Sequence, residues 1–339
     1  MTAPIEHAAA PAAPSAQRGA DHPAHPDAAA RPRLPPPAHP IEPYAPLIVN
    51  VCPTGPVATA ADSPRVPLTP GRIVEDTCRL LDLGAAIVHL HARDERGRPT
   101  WRPEAYEKLI LPIRAHAPDA VVGVSCVGND FPELERRAAV LELEGAARPD
   151  VASLAPTSVD LPRGFNPAPP PIVRALAERM ADRGIRPEFE CLESGMVATA
   201  VGLIRDGLAR APAWFNLILG SRFSCPATAR HLSLLVADLP AGALWAGGGI
   251  GAAQAPINLL AIAMGGHCRV GLEDNLRDGP GRRRFATNAG LVRRVLRLAA
   301  LYGRRIATRA ETRAMMGLGA PPVPPAAPRP APAAEALRA

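Results

Sequence analysis

The sequence predicts a (β/α)8 barrel, and three observations support that fold class. Between residues 47 and 302, short apolar runs alternate with longer amphipathic stretches, eight of each. That span is close to the roughly 250 residues such a barrel needs. Proline opens several of the helical stretches and glycine follows several of their ends, as helix termini prefer. A doubly wound open sheet shows the same alternation. The count of eight, and the lack of a glycine fingerprint after the first strand, favour the closed barrel.

The elements follow in order. Residues 47–52 (LIVNVC) form a short apolar run of the kind buried in parallel sheets, then a Pro/Gly loop leads to Pro70. A helix over 72–83 is closed by Gly84. Strand two is 85–91, and Pro103 starts a helix to about residue 117. Strand three is 120–125 (AVVGVS), with a helix over 133–144 behind it. Strand four is 151–154, followed by a helix over 171–183 that ends at Gly184. Strand five is 186–192 and its helix 196–208. Strand six is 214–219 (WFNLIL), with a helix over 228–239. A short strand over 243–246 precedes a helix over 252–264. Strand eight is 267–272, and the last helix is 287–302.

The 339 residues divide into three parts. Residues 1–45 are rich in Ala, Pro and His, and 320–339 in Pro and Ala. Neither has the apolar content to offset the entropy of ordering, so both are expected to be disordered tails around a catalytic barrel over 46–319. The net charge of +6 belongs to the barrel and is almost entirely arginine, Lys108 being the only lysine. A modest basic surplus fits an anionic substrate. No basic run with interleaved aromatics points to nucleic acid. No apolar run approaches a membrane span, and residues after Met1 do not read as a signal peptide. Six cysteines are scattered without a CxxC pair; several sit inside apolar runs and read as small buried residues, and a reducing cytoplasm is the simplest setting.

Catalytic groups of a barrel belong at the C-terminal ends of its strands. Strand two ends in His89 and His91, which share one face because side chains alternate along a strand. Two imidazoles converging at the functional end suggest half of a metal site, with satisfied core histidines as the alternative. Barrel closure places Glu273, after strand eight, about two strands away. Two histidines and a glutamate form a catalytic zinc set that leaves a position for substrate. Asp274 adjoins Glu273, is expected to face differently, and reads as a general base or a partner for Arg269 and Ser125. The run Gly247-Gly248-Gly249-Ile250-Gly251 reads as a phosphate cradle or a tight turn. Arg222, after strand six, is a candidate anchor for an anionic group.

Several of these segments together resemble the β-keto acid cleavage enzymes. They are Pro53-Thr54-Gly55, the stretch from Ser63 to Pro70, Val88-His89-Leu90-His91-Ala92-Arg93-Asp94, Pro187-Glu188-Phe189-Glu190, Ser194-Gly195-Met196, and the run from Gly265 to Asn275. The resemblance covers about residues 46–317. It implies a zinc-dependent barrel enzyme, usually a homotetramer. Such enzymes condense a β-keto acid with acetyl-CoA to give acetoacetate and a new acyl-CoA. Carried over by position, it makes His89, His91 and Glu273 the zinc ligands. It assigns Ser125, Arg269 and Asp274 to deprotonating the substrate and steadying its enolate. Gly128 and Ser158 become substrate contacts, with Thr54 and Arg222 further candidates.

This chain departs from the pattern at three places. Val57 stands where the aminohexanoate-cleaving members have a glutamate suited to a substrate ammonium, which argues against an amino-bearing substrate. Ser125-Cys126-Val127-Gly128 and Thr157-Ser158-Val159-Asp160 also differ. Other metal-dependent barrel enzymes, such as an aldolase, and a non-catalytic binding barrel are the competing readings. An amidohydrolase would add histidines after strands five and six, and none is present there.

Overall fold

A computed structural model describes residues 44–161, 164–222 and 224–322. The expected tails fall mostly on 1–43 and 323–339, outside those residues. Eight parallel strands close into one barrel in the order β1-β8-β7-β6-β5-β4-β3-β2. The chain runs β1 (Val49–Val51), α1 (Pro70–Asp82), β2 (Ile87–Leu90), α2 (Pro103–His116), β3 (Val121–Val124), α3 (Leu134–Ala138) and β4 (Val151–Leu154). It continues through α4 (Pro170–Asp182), β5 (Arg186–Cys191), α5 (Ser194–Arg205), β6 (Trp214–Leu219), α6 (Ala229–Ala237), β7 (Leu244–Gly249), α7 (Gln254–Ala263) and β8 (His267–Val270). Helices α8 (Asn288–Tyr302) and α9 (Arg309–Met315) complete it. β1 pairs with both β8 and β2, so the closure expected from the sequence holds.

Helix starts follow local chemistry. Proline occupies the first turn of α1, α2 and α4, where its missing N–H costs nothing. Thr287 and Thr308 cap α8 and α9, the latter with Glu311 in a reciprocal capping box. α9 was not expected, nor were the short hairpins Val159–Asp160 with Phe165–Asn166 and Arg277–Asp278 with Arg284–Phe285.

Three elements differ from their expected extents. The helix expected over 133–144 is only α3, followed by 3-10 turns at Ala139–Glu142 and Gly145–Ala147. The carbonyls of Leu141 and Glu142 bond Arg183 at 3.3 and 2.8 Å, so tertiary partners replace helical ones. β7 runs through Gly249, which puts the first three glycines of the glycine run in a strand rather than a phosphate cradle. The reason is close packing: a Cβ on Gly249 would lie 2.4 Å from the Ala253 carbonyl oxygen. β8 stops at Val270 because the chain then turns against β1, where Glu273 N–H donates to the Cys52 carbonyl at 3.2 Å.

The barrel interior is layered. At the N-terminal end Ile48, Ile87, Val121, Val151, Trp214 and Ala246 pack with Ala307 and Met316. Above them Asn50, His89, Glu188, Asn216 and Arg269 form a buried polar layer. Val88 and Leu90 point the other way, into the larger cluster beneath the helices. Alternation along β2 therefore sends Ile87 into the apolar layer and His89 into the polar one. Among the described residues, no helix is long and apolar enough to cross a membrane.

Candidate metal centre and active site

His89, His91 and Glu273 meet at the C-terminal end of the barrel, each offering one ligand atom within 4.8 Å of the others. The two Nε2 atoms are 3.0 Å apart, and Glu273 Oε1 is 3.4 Å from His91 Nε2. His91 lies one residue past β2, and Glu273 is brought in by the turn after β8. Gly55 (φ +70°) makes room for that carboxylate: a Cβ there would fall 2.5 Å from Glu273 Cγ. Only glycine holds this backbone conformation without penalty.

The donor set fits a divalent cation. His89 Nδ1 lies 2.7 Å from Glu188 Oε2, and an ionised carboxylate only accepts, so Nδ1 carries the proton. In the neutral imidazole Nε2 is then left with its lone pair aimed at His91 and Glu273. Glu273 Oε2 is buried and has no hydrogen-bond partner. Two imidazole nitrogens facing a buried, unpaired carboxylate oxygen repel one another unless a proton or a cation sits between them. Glu188 is itself fixed by Asn50 and Asn216, each donating to Oε1 at 2.7 Å. This carboxylate–histidine pairing is how metal-binding histidines are oriented.

Electrostatics follow the same pattern. Burial opposes charge on His89, but Glu188 and Glu273 outweigh it and push the imidazole up to about 9. His91 has no such partner on its far side, and burial pushes it down to about 4 against the pull of Glu273. Burial also disfavours ionised Glu188, yet His89 and Arg269 bring it down to about 2. Glu273 is held well below the usual carboxylate range, since Arg269 and the two histidines outweigh burial.

Arg269 stands at the centre of the cluster. It donates to Asp274 Oδ2 at 3.0 Å, to Glu190 Oε1 at 2.7 Å and to Glu273 Oε1 at 2.7 Å. Glu273 and Asp274 were expected to face differently, but the turn after β8 removes strand alternation and both reach Arg269. Cys52 Sγ donates to Asp274 Oδ2 at 3.4 Å from beneath. Gly248 faces the aliphatic stem of Arg269, its Cβ position 3.4 Å from the Arg269 Cβ and Cδ.

These groups line one side of a cavity of about 400 Å3 with His91, Glu190, Arg269, Glu273 and Asp274. Its remaining wall is largely apolar, including Val57, Val127, Val159, Leu192, Ile218 and Leu276. Ser125 lies beside His91 in a side pocket of about 30 Å3, its hydroxyl accepting from Val127 N–H. Gly128 N–H donates to Asn166 Oδ1 at 2.9 Å, and Asn166 reaches the main cavity. Other expected contacts are not brought in. Thr54 is fully buried and donates to the Pro67 carbonyl at 3.3 Å. Ser158 is exposed, accepts from Ala168 N–H and shares a separate surface depression with Arg222, while its neighbour Val159 faces the main cavity.

Against known proteins, the family described as beta-keto acid cleavage enzyme matches residues 46–318. The chain belongs to the beta-keto acid cleavage enzyme family. The sequence expectations of family, barrel fold and enzymatic activity therefore hold. The chain is 35% identical over 277 residues to 3-oxoadipate:acetyl-CoA acetyltransferase of Cupriavidus necator, covering 80% of this chain and 95% of that one. It is 33% identical over 276 residues to a 3-keto-5-aminohexanoate cleavage enzyme of Fusobacterium nucleatum, covering 80% and 98%. A solved ternary complex of ObcA with a C4-CoA adduct and oxalate shares the fold. Its TM-score is 0.67 at 24% identity, over 76% of this chain and 68% of that one.

Sequence reasoning missed the support of the cleavage-enzyme site. Asn50, Glu188, Glu190 and Asn216 were given no role. The signal was present: Asn50 and Asn216 are single polar residues inside otherwise apolar strands, LIVNVC and WFNLIL. A lone amide on an inward-facing strand position needs a partner, and Glu188 is that partner for both.

Proposed function

We propose that this enzyme condenses a β-keto acid with acetyl-CoA, giving acetoacetate and a new acyl-CoA, with zinc held by His89, His91 and Glu273. The observation that carries this reading is the cavity of about 400 Å3 that joins the His91–Glu273 pair, Arg269 and Asp274 to an apolar wall. Bound zinc supplies Lewis acidity to the keto oxygen and so acidifies the neighbouring carbon. Asp274 takes the proton from the carbon between the keto and carboxyl groups, and its contact with Arg269 orients it for that task. The carbanion attacks the acetyl thioester and expels the CoA thiolate. That thiolate then adds to the original keto carbon, and cleavage of the carbon–carbon bond releases acetoacetate and the new acyl-CoA. Arg269 balances the negative charge that builds on the oxygens in both stages. Ser125, beside His91, and Gly128, through Asn166, border the bound acid. The apolar wall excludes water from the thioester.

The barrel over 46–319 is the catalytic domain in this reading. We also assign the enzyme to a reducing cytoplasm, which its six free cysteines support. We assign it a homotetrameric state, as the family resemblance implies. The test is direct. Purified, metal-analysed protein is incubated with acetyl-CoA and a panel of β-keto acids, and acetoacetate is measured. Acetoacetate should form from at least one acid, stop on chelation and return with zinc. No acetoacetate from any acid by zinc-loaded protein would sink the proposal.

A further inference from the structure

The cavity contains two guanidiniums in opposite situations. Arg269 is ringed by three carboxylates. Arg282 lines the same cavity, and no carboxylate pairs with it among the described residues. Its Nη2 donates instead to the neutral Asn275 side chain, at 2.8 Å from Oδ1. An unpaired, partly buried cation facing an apolar-walled cavity is poised for an anion.

The segment that presents Arg282 is built for the purpose. Among the described residues, Arg282 is the one non-glycine with a positive φ, at 54°, and Gly279 and Gly281 before it have φ of 78° and 60°. An ordinary L-residue adopts this region at a cost and stays there only when its surroundings hold it. Asn275 does the holding, and it directly follows Glu273 and Asp274. Asn275 is in turn braced by Gln254, whose own amide donates to the Gly271 carbonyl at 3.0 Å. Arg282 is thus positioned by the same turn that positions Glu273 and Asp274. Val57, on the cavity wall, offers no acceptor for a cationic substrate tail.

We infer that Arg282 receives a second carboxylate, at the end of the substrate remote from the reacting keto acid group, so that the substrate class is the dicarboxylic β-keto acids. This rests on the reading of the cavity as a β-keto acid site. It also reassigns the anion-anchoring role considered for Arg222, which lies outside the cavity.

The experiment compares 3-oxohexanedioate with 3-oxohexanoate, equal in chain length and differing in the terminal carboxylate, by acetoacetate release from zinc-loaded protein. The wild type should favour the diacid in kcat/KM. Arg282→Gln should lower that selectivity ratio about 10- to 100-fold, mainly through KM for the diacid. Arg282→Lys, which keeps the charge, should retain most of the preference. Equal losses on both acids would overturn the inference. So would a raised KM for acetyl-CoA in place of the selectivity change, which would assign Arg282 to the CoA phosphates. Release from 3-oxohexanoate without preference for the diacid would overturn this inference alone. No release from either acid would overturn it together with the proposed function.

Discussion

The two ends of the barrel treat buried charge in opposite ways. At the N-terminal end, one carboxylate is enclosed by two guanidiniums. Asp150 accepts from Arg114 at 2.6 Å and from Arg313 at 3.0 Å, and the Val122 N–H adds a third bond at 2.9 Å. Both of its oxygens are bonded. At the C-terminal end, one guanidinium faces three carboxylates, and Glu273 Oε2 has no partner. The histidines divide in the same way. His267 stacks on Trp214 at 5.6 Å and accepts from the Ile48 N–H at 3.0 Å, so its work is done inside the core. His89 is oriented by Glu188 and offers its other nitrogen to His91 and Glu273. At the bottom every oxygen of the buried carboxylate is bonded, whereas the site leaves one carboxylate oxygen open for a ligand. Stability at the bottom and chemistry at the top is the division expected of this fold.

The largest effect should come from the top. Asp274→Asn removes the proposed base while leaving the shape of the turn, and kcat should fall about 10²- to 10⁴-fold. Zinc content should stay at the wild-type value, since Asp274 is not among the proposed ligands. A variant that keeps its rate would move the base elsewhere. The bottom should respond in stability and not in rate. Asp150→Asn leaves Arg114 and Arg313 buried without a countercharge, which should cost about 3–5 kcal/mol in urea unfolding. The kcat of the folded fraction should match the wild type, and a lower value would break the division between the two ends.

Much of this was legible because it follows from period and position. Alternation on one strand put His89 and His91 on a shared face, and closure of a barrel of eight put Glu273 within reach of both. What was not legible depended on packing. The glycine run resembles a phosphate loop in one dimension, yet Gly247 and Gly249 exist because α7 lies against β7 too closely for a Cβ. Ser158 and Val159 differ by one residue, and a two-residue strand in a loop decides which faces the cavity. Arg222 and Arg282 are both loop arginines in the sequence. Only the turn at Asn275 and the positive φ of Arg282 distinguish them, and neither is written in residue type alone.

Two smaller effects test the histidines at either end. Glu188→Gln keeps the size of the side chain but removes the charge that orients His89, and zinc affinity should weaken about 10- to 100-fold. Competition with a chromogenic chelator reads this directly, and unchanged affinity would deny Glu188 its orienting role. His267 should report through pH. Burial, then Arg304, pushes it down to about 3, while an unfolded chain holds its histidine near 6.5. Between those values the unfolded state binds the proton and the folded state does not. Folding stability should therefore fall as pH drops below 6.5, by about 1.4 kcal/mol per pH unit from this residue. His267→Gln keeps an acceptor in place of the imidazole and does not titrate. The stability difference between wild type and variant should be flat above pH 7 and shift against the wild type between pH 6 and 4. A difference that stays flat through that window would show that His267 protonates in the folded chain as readily as in the unfolded one, and that the bottom of the barrel is not closed to charge.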